Sequence, residues 1–316
     1  MSWFQKLTGF QEFPTTQVYE NIIVDGANMT SRANGKKMTW GSLETPSLGE
    51  LRARVAAGEK VRGAIAVREI LFQVASQFNL LEMICPTRKP EDGIGIYEND
   101  HTQGPACAIA CGAGTIYRNY FVPVNGQIGQ SRDNQIDCLA DIGNALGNTD
   151  NRLWKMQNGY ALATDDGLKE ISERLRACGE QGLDDLRKLL RVGLQWRTQV
   201  TLNDCAHRVS QAYCSALPVA YSKQLPPQLW TEFATLVLEA AYEATLCAAI
   251  LNLQNTGNQR VFLTLLGGGA FGNNEEWILK AMERALRIYA DWNLEVAIVS
   301  RGSSKNSVRD LASKFG

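Results

Sequence analysis

The run from Val261 to Ile288 constrains this chain more than any other segment. Val261 to Leu266 is apolar and β-branched enough for a buried strand, and Gly267-Gly268-Gly269-Ala270-Phe271-Gly272-Asn273 follows it. From there the apolar residues Trp277, Ile278, Ala281, Met282, Ala285 and Leu286 recur at helical spacing. A strand, a glycine loop and a helix N-terminus together make an anion cradle. Glycine admits close backbone approach, and the free amides and dipole of the first helical turn favour negative charge. A plain tight turn would use the same glycines. Phe271, inside the loop where it can cap a sugar, favours a nucleotide-like ligand. The spacing fits neither G-x-x-x-x-G-K-[ST] nor G-x-G-x-x-G, so a diphosphate is expected through a different loop.

The chain has 316 residues, which allows one large domain or two small ones. Its 45% hydrophobic and 21% charged content is that of an ordinary globular protein. Thirty-two basic and 33 acidic side chains nearly cancel, and no Lys/Arg block stands out, so the footprint of a nucleic-acid binder is missing. Phe233 to Leu253 is the most apolar stretch, but Glu239 and Glu243 interrupt it, so it reads as a buried helix and not a membrane span. Met1 to Lys6 lacks the regions of a secretory signal, and a cytoplasmic protein is expected. The eight cysteines then read as reduced, buried thiols. Cys107 and Cys111, at i and i+4 without a second pair or a nearby histidine, are a poor zinc site. No metal or cofactor is expected.

Strand and helix patterns alternate along the chain. Strands are predicted at Val18–Val24, Leu80–Cys85, Thr115–Val122, Arg208–Ser215, 261–266 and Leu294–Val299. Helices are predicted at Leu48–Ala57, Val61–Phe78, Gln103–Cys111, Asn134–Leu146, Gln228–Leu253 and 273–290, with one or two across Gly167–Leu190 and a short one from Ser304. Residues 29–49 read as a long polar loop. This alternation makes the class α/β, and ligands on such sheets sit at the carboxyl ends of the strands. Asp25-Gly26-Ala27-Asn28, Gln103-Gly104, Ser215 and Gly267 to Asn273 all follow predicted strands and could converge there.

Carboxylates offer the most chemistry. On a helix over 134–146, Asp133, Asp137 and Asp141 fall within an arc of about 80°. Such a face is either simply solvated or a cluster fit for cation binding or acid–base work. Crowding would raise one pKa and prepare that group as a base or proton donor. Histidine supplies little: His101 and His207 are the only two, and no G-x-S-x-G elbow exists. Ser215 without a base at known reach is more often a turn residue. Thr102 to Ala108 is a second anion-site candidate, where Asp100 and Gln103 sit at a loop edge before a helix of small residues. Arg118 and Tyr120 would share one face of the predicted strand 115–122.

Leu265 to Asn273 resembles the diphosphate loop of macrodomains, especially the poly(ADP-ribose) glycohydrolase-like branch. Thr102 to Ala108, Tyr117-Arg118-Asn119-Tyr120-Phe121 and Tyr213-Cys214-Ser215-Ala216-Leu217-Pro218-Val219 look like the MavL-type macrodomains, which remove ADP-ribose from arginine. The resemblance runs from about residue 80 to 300. It implies a macrodomain-like three-layer α/β fold with a central mixed sheet and additional helices. Residues 1–316 would form one domain, with 1–78 as an N-terminal extension holding a strand and helices.

By that resemblance, Gly267, Gly268, Gly269, Ala270, Phe271, Gly272 and Asn273 hold the diphosphate, with Phe271 near the distal ribose. Gln103, Gly104 and Pro105 form the facing loop, with Asp100 and Ser215 beside the ligand. Asp133 and Asp141 match the acids near the scissile C1″ bond, and Asp137 and Asp150 are the other two in range. The Gly-Gly-Gly-x6-8-Glu-Glu signature of chain-cleaving glycohydrolases is absent, because Glu275-Glu276 lie on the helix. Removal of a single ADP-ribose from arginine is therefore the expected activity, on an ADP-ribosylated protein such as ubiquitin. A carboxylate near C1″ would stabilise an oxocarbenium-like state. A reader of ADP-ribose without turnover is the alternative, and an NAD-dependent oxidoreductase a weaker one, since dinucleotide folds usually open with their glycine loop.

Overall fold

Four strands with their carboxyl ends along one edge organise the protein. The computed structural model describes residues 1–59, 69–205, 207–222 and 224–316. Its main sheet contains β1 (Ser42–Glu44), β2 (Leu71–Ala75), β3 (Gly193–Gln199), β4 (Arg208–Cys214), β5 (Arg260–Thr264) and β6 (Glu295–Val299), in the order β6-β5-β2-β4-β3-β1. The block β6-β5-β2-β4 is parallel, while β3 and β1 are antiparallel to their neighbours. This is the expected α/β class with a mixed sheet. The loops after β2, β4 and β5 therefore leave from a common edge.

Helices cover both faces. The helices that matter below are α1 (Leu48–Ala56), α2 (Gln103–Ala110), α3 (Ala140–Ala145), α4 (Asp165–Ala177), α5 (Gly179–Arg187), α6 (Thr231–Thr256) and α7 (Glu275–Ile288). Helix α6 packs against α1, α4, α5 and α7 and runs through the core. Phe233, Val237, Tyr242 and Ile250 on it are fully buried, and burial of each such side chain contributes about 1.5–3 kcal/mol. By length and composition Pro227–Thr256 could cross a membrane, but its most apolar window is 89% buried inside the fold. On the other face, α2 packs on β2. There Trp3, Phe4, Met38 and Trp40 share a second core with Ile94, Tyr97, Ile116 and Tyr120, so the first 40 residues are tied to the middle of the chain.

Several local expectations are corrected. Part of the helix predicted at Val61–Phe78 lies outside the described residues, and its end is the central strand β2; a short apolar run buried on both sides has no diagnostic period. Val18–Val24 divides into a helix (Thr16–Asn21) and a strand (Ile22–Asp25). That strand belongs to a separate three-stranded sheet, so Asp25 to Asn28 do not join the carboxyl edge. The polar loop 29–49 instead holds strands Thr30–Ala33 and Lys36–Thr39, β1 and the start of α1. Leu80–Cys85 is loop. Thr115–Val122 is helical, Gly112–Ile116 running into a π-turn at Tyr117–Phe121. The glycines let it press against β3, and a Cβ on Gly114 would meet Thr198 Oγ1 at 2.9 Å. Arg118 and Tyr120 thus do not share a strand face.

The acidic helix is also shorter than predicted. Only 140–145 is helical, so Asp133, Asp137 and Asp141 do not line one helix face. Side chains divert the backbone here: Gln130 Oε1 accepts the Ile136 N–H at 3.0 Å and Asp137 Oδ1 accepts the Leu139 N–H at 2.9 Å. These local bonds compete with the helical ladder. The eight cysteines are free, but Cys178 is exposed, contrary to the expectation of burial.

Candidate active site

The triglycine segment leaves β5 at the carboxyl edge and is tied down at both ends. Tyr242 Oη donates to the Thr264 carbonyl at 2.7 Å and accepts the Leu266 N–H at 3.0 Å. The Asn273 N–H returns to the Gly267 carbonyl at 2.9 Å, and the Gly272 N–H to the Gly269 carbonyl at 3.0 Å. Gly267 has φ +73°, and a Cβ there would meet that of Ala216 at 2.4 Å, so only glycine fits. Asn274 then caps α7 by accepting the Glu276 N–H at 2.8 Å. The tip, Gly268 to Ala270, is exposed. Among the described residues, the N–H groups of Gly269, Ala270 and Phe271 have no hydrogen-bond partner. Unpaired amides on a glycine turn beside a helix N-terminus are an anion-binding arrangement.

Neighbouring loops hold the turn in place. Asn273 Nδ2 donates to the Leu217 carbonyl at 2.8 Å, and the Ala220 N–H donates to the Phe271 carbonyl at 2.9 Å. The turn is thereby joined to the loop after β4. The Phe271 ring lies 5.3 Å from that of Tyr160 and 5.6 Å from that of Tyr221, and the two tyrosines are 5.0 Å apart. Burial pushes the Tyr160 and Tyr221 hydroxyls above their ordinary pKa, so they remain neutral. The three rings are inclined to one another by 41° to 76°. Tyr160 is fully buried and donates its hydroxyl to the Met83 carbonyl, while Phe271 and Tyr221 are half-buried.

The facing segment is built differently from expectation. Gln103 Oε1 accepts the Ala75 N–H and its Nε2 donates to the Gln73 carbonyl, both at 2.9 Å. Its side-chain amide thus clasps the backbone of β2. Gly104 and Pro105 are buried, and a Cβ on Gly104 would lie 2.1 Å from the Ala75 carbonyl and 2.3 Å from Glu82 Oε2. The Ser215 hydroxyl is buried and donates to the Ala216 carbonyl at 2.9 Å. Asp100 is half-buried at the loop edge and accepts the Thr102 N–H at 2.9 Å. It lies within electrostatic reach of Tyr221.

The sequence-derived acids differ in their surroundings. Asp141 Oδ2 accepts from Arg191 Nε at 2.7 Å, and Asp133 is exposed. Asp137 is half-buried, and desolvation pushes its carboxyl up. Asp150 sits in a 3-10 turn with φ +54°. Among the described residues, neither Asp133 nor Asp141 bonds to the triglycine turn. Sequence reasoning did not single out Tyr160 or Tyr221, whose rings meet Phe271. Tyr160 had a signal: Asn158-Gly159 between two short runs marks a hairpin, and Trp154–Gln157 pairs antiparallel with Tyr160–Ala163.

No family model matches this chain, and no curated protein matches it. The chain is similar to a solved structure, poly(ADP-ribose) glycohydrolase from Thermomonospora curvata bound to the inhibitor ADP-HPD. That similarity covers 95% of this chain and 96% of that one, at 11% identity and a TM-score of 0.43.

Proposed function

We propose that the protein is an ADP-ribosyl hydrolase that removes a single ADP-ribose from arginine side chains of a modified protein. One observation carries the reading: the triglycine turn presents the free N–H groups of Gly269, Ala270 and Phe271 beside the Tyr160–Tyr221–Phe271 wall. Amides suit a diphosphate and the rings suit the sugar next to it. The arginine preference comes from the motif resemblance of residues 102–108, 117–121 and 213–219. Hydrolysis of the N-glycosidic bond develops positive charge at C1″, which a carboxylate stabilises while water attacks. Asp133 and Asp141 are the acids proposed for that role.

Calorimetric titration with ADP-ribose and with NAD tests the binding half, and a strong preference for ADP-ribose is expected. Incubation with an ADP-ribosylated arginine peptide, followed by mass measurement, tests turnover. Binding without mass loss would leave a reader module, and preference for NAD would leave a dinucleotide enzyme.

A further inference from the structure

The carboxyl edge of the sheet is not the only place where the fold leaves room. A cavity of about 350 Å³ lies between β6, the end of α7 and a short helix α8 (Asn306–Ala312). Its floor is Leu246 of the core helix α6, which is 1% exposed, and Val308 of α8 is buried in its wall. Val296 and Ile298, two apart on β6, share one sheet face and line it from the side. These two, with Leu286 and Trp292, are only half-buried. Apolar side chains that packed neighbours would normally cover therefore border open space. Beside the cavity, Val299 is 46% and Phe315 38% exposed. Grouped apolar exposure of this kind marks a surface that receives an apolar group.

Polar groups in the lining are few. The Tyr289 hydroxyl is engaged, donating to Glu243 Oε1 at 3.3 Å. Arg309 is the one charged side chain there, and it is exposed. Its Nη2 donates to the Ser304 carbonyl at 2.9 Å, and among the described residues no carboxylate pairs with it. The volume falls at the low end of ligand pockets, about 300–1,000 Å³. One turn of a helix with its side chains, about 10 Å wide and about 5.4 Å long, fills about 400 Å³, so a docking helix does not fit inside. A single alkyl chain does, and the guanidinium at the rim selects the charge of its head. We propose that this cavity binds a free long-chain carboxylate, with its tail on Leu246, Val296 and Ile298 and its carboxylate on Arg309. The site shares no residue with the triglycine turn and does not depend on the nucleotide reading.

Calorimetric titration of the wild-type chain with octanoate, decanoate and dodecanoate tests the tail. Each methylene buried tightens binding by about fourfold, so affinity should climb steeply along the series. Dodecanol and dodecylamine test the head at the same chain length. Both should bind at least about tenfold more weakly than dodecanoate, the worth of a charge-assisted hydrogen bond. Arg309→Gln should erase the preference for carboxylate over alcohol. Ala312→Trp, at an exposed position of the lining, should fill the cavity and abolish binding. Affinity that does not rise with chain length overturns the assignment, and so does dodecylamine matching dodecanoate. Wild-type affinity of Ala312→Trp for dodecanoate overturns it as well. Should either variant fail to fold, the two wild-type series decide.

Discussion

Asn273 fastens the triglycine turn to the loop after β4 through one side-chain bond, Nδ2 to the Leu217 carbonyl at 2.8 Å. Asn273 is buried, so this bond is shielded from water. Asn273→Ala removes it, while the Leu217 carbonyl keeps its bond from the Val219 N–H, so the loss is that of one hydrogen bond, about 0.5–1.5 kcal/mol. ADP-ribose affinity should fall by up to about tenfold in calorimetry. Unchanged affinity would show that the turn holds its shape without the tie.

Two neighbouring glycines should respond in opposite ways. Gly267→Ala forces a Cβ into Ala216 at a positive φ, whereas a Cβ on Gly269 meets nothing within 4 Å. The first substitution should destabilise by about 1–3 kcal/mol through strain, read as a lower denaturation midpoint. Gly269→Ala should leave the midpoint within experimental scatter.

Glu82 sets a pH dependence of stability. Its folded-state pKa is raised by burial, so the folded chain holds this proton more tightly than the unfolded one. The stabilisation is complete below the unfolded carboxylate pKa and is lost as pH rises through the folded value. Glu82→Gln should therefore gain thermal stability relative to wild type as pH rises from acid toward neutral. A difference in melting temperature that stays flat with pH would contradict this.

A buried ion cluster holds α6 to its neighbours. Glu243 is 1% exposed and accepts from Arg52 Nε at 2.6 Å and Arg284 Nη1 at 2.7 Å, while Arg52 also bonds Asp184 on α5. Removing Glu243 takes the nearest acceptor from both arginines but leaves Asp184 beside them. The arginines are also partly exposed, so the cost falls below that of an orphaned buried charge, at about 1–3 kcal/mol. Glu243→Ala should show that loss in urea denaturation, whereas Asp165→Ala on the exposed start of α4 should cost little.

The proposed acids are tested one at a time. Asp133→Asn and Asp141→Asn should each abolish release of ADP-ribose from an arginine peptide while binding of free ADP-ribose persists. Wild-type turnover by both would withdraw them and leave the binding site in place.

Legibility in the sequence followed how local each signal was. The strand, turn and helix from 260 to 288 were readable because periodicity, glycines and capping all lie within thirty residues. Helix α6 was readable because its apolar run is far longer than any strand. The central strand β2 was not, since Leu71 to Ala75 is buried by elements distant in sequence and looks like a helix segment in isolation. Residues 131–139 escaped because Gln130 and Asp137 bond to nearby backbone, a choice that periodicity does not register. The burial of Glu82 was invisible for a related reason. Gly104 and Ala75 crowd it, and only the folded chain brings them there.

The two hydrogen bonds between the Gln103 side chain and β2, one accepted from the Ala75 N–H and one donated to the Gln73 carbonyl, make the start of α2 an extension of the central strand. Moving that segment away from the sheet would break both bonds at once. On the triglycine turn, Gly269 has open space around it, whereas a Cβ on Gly268 would press on Ile278 and the Leu265 carbonyl at 3.1 and 3.3 Å, so the room for adjustment there is confined to the tip.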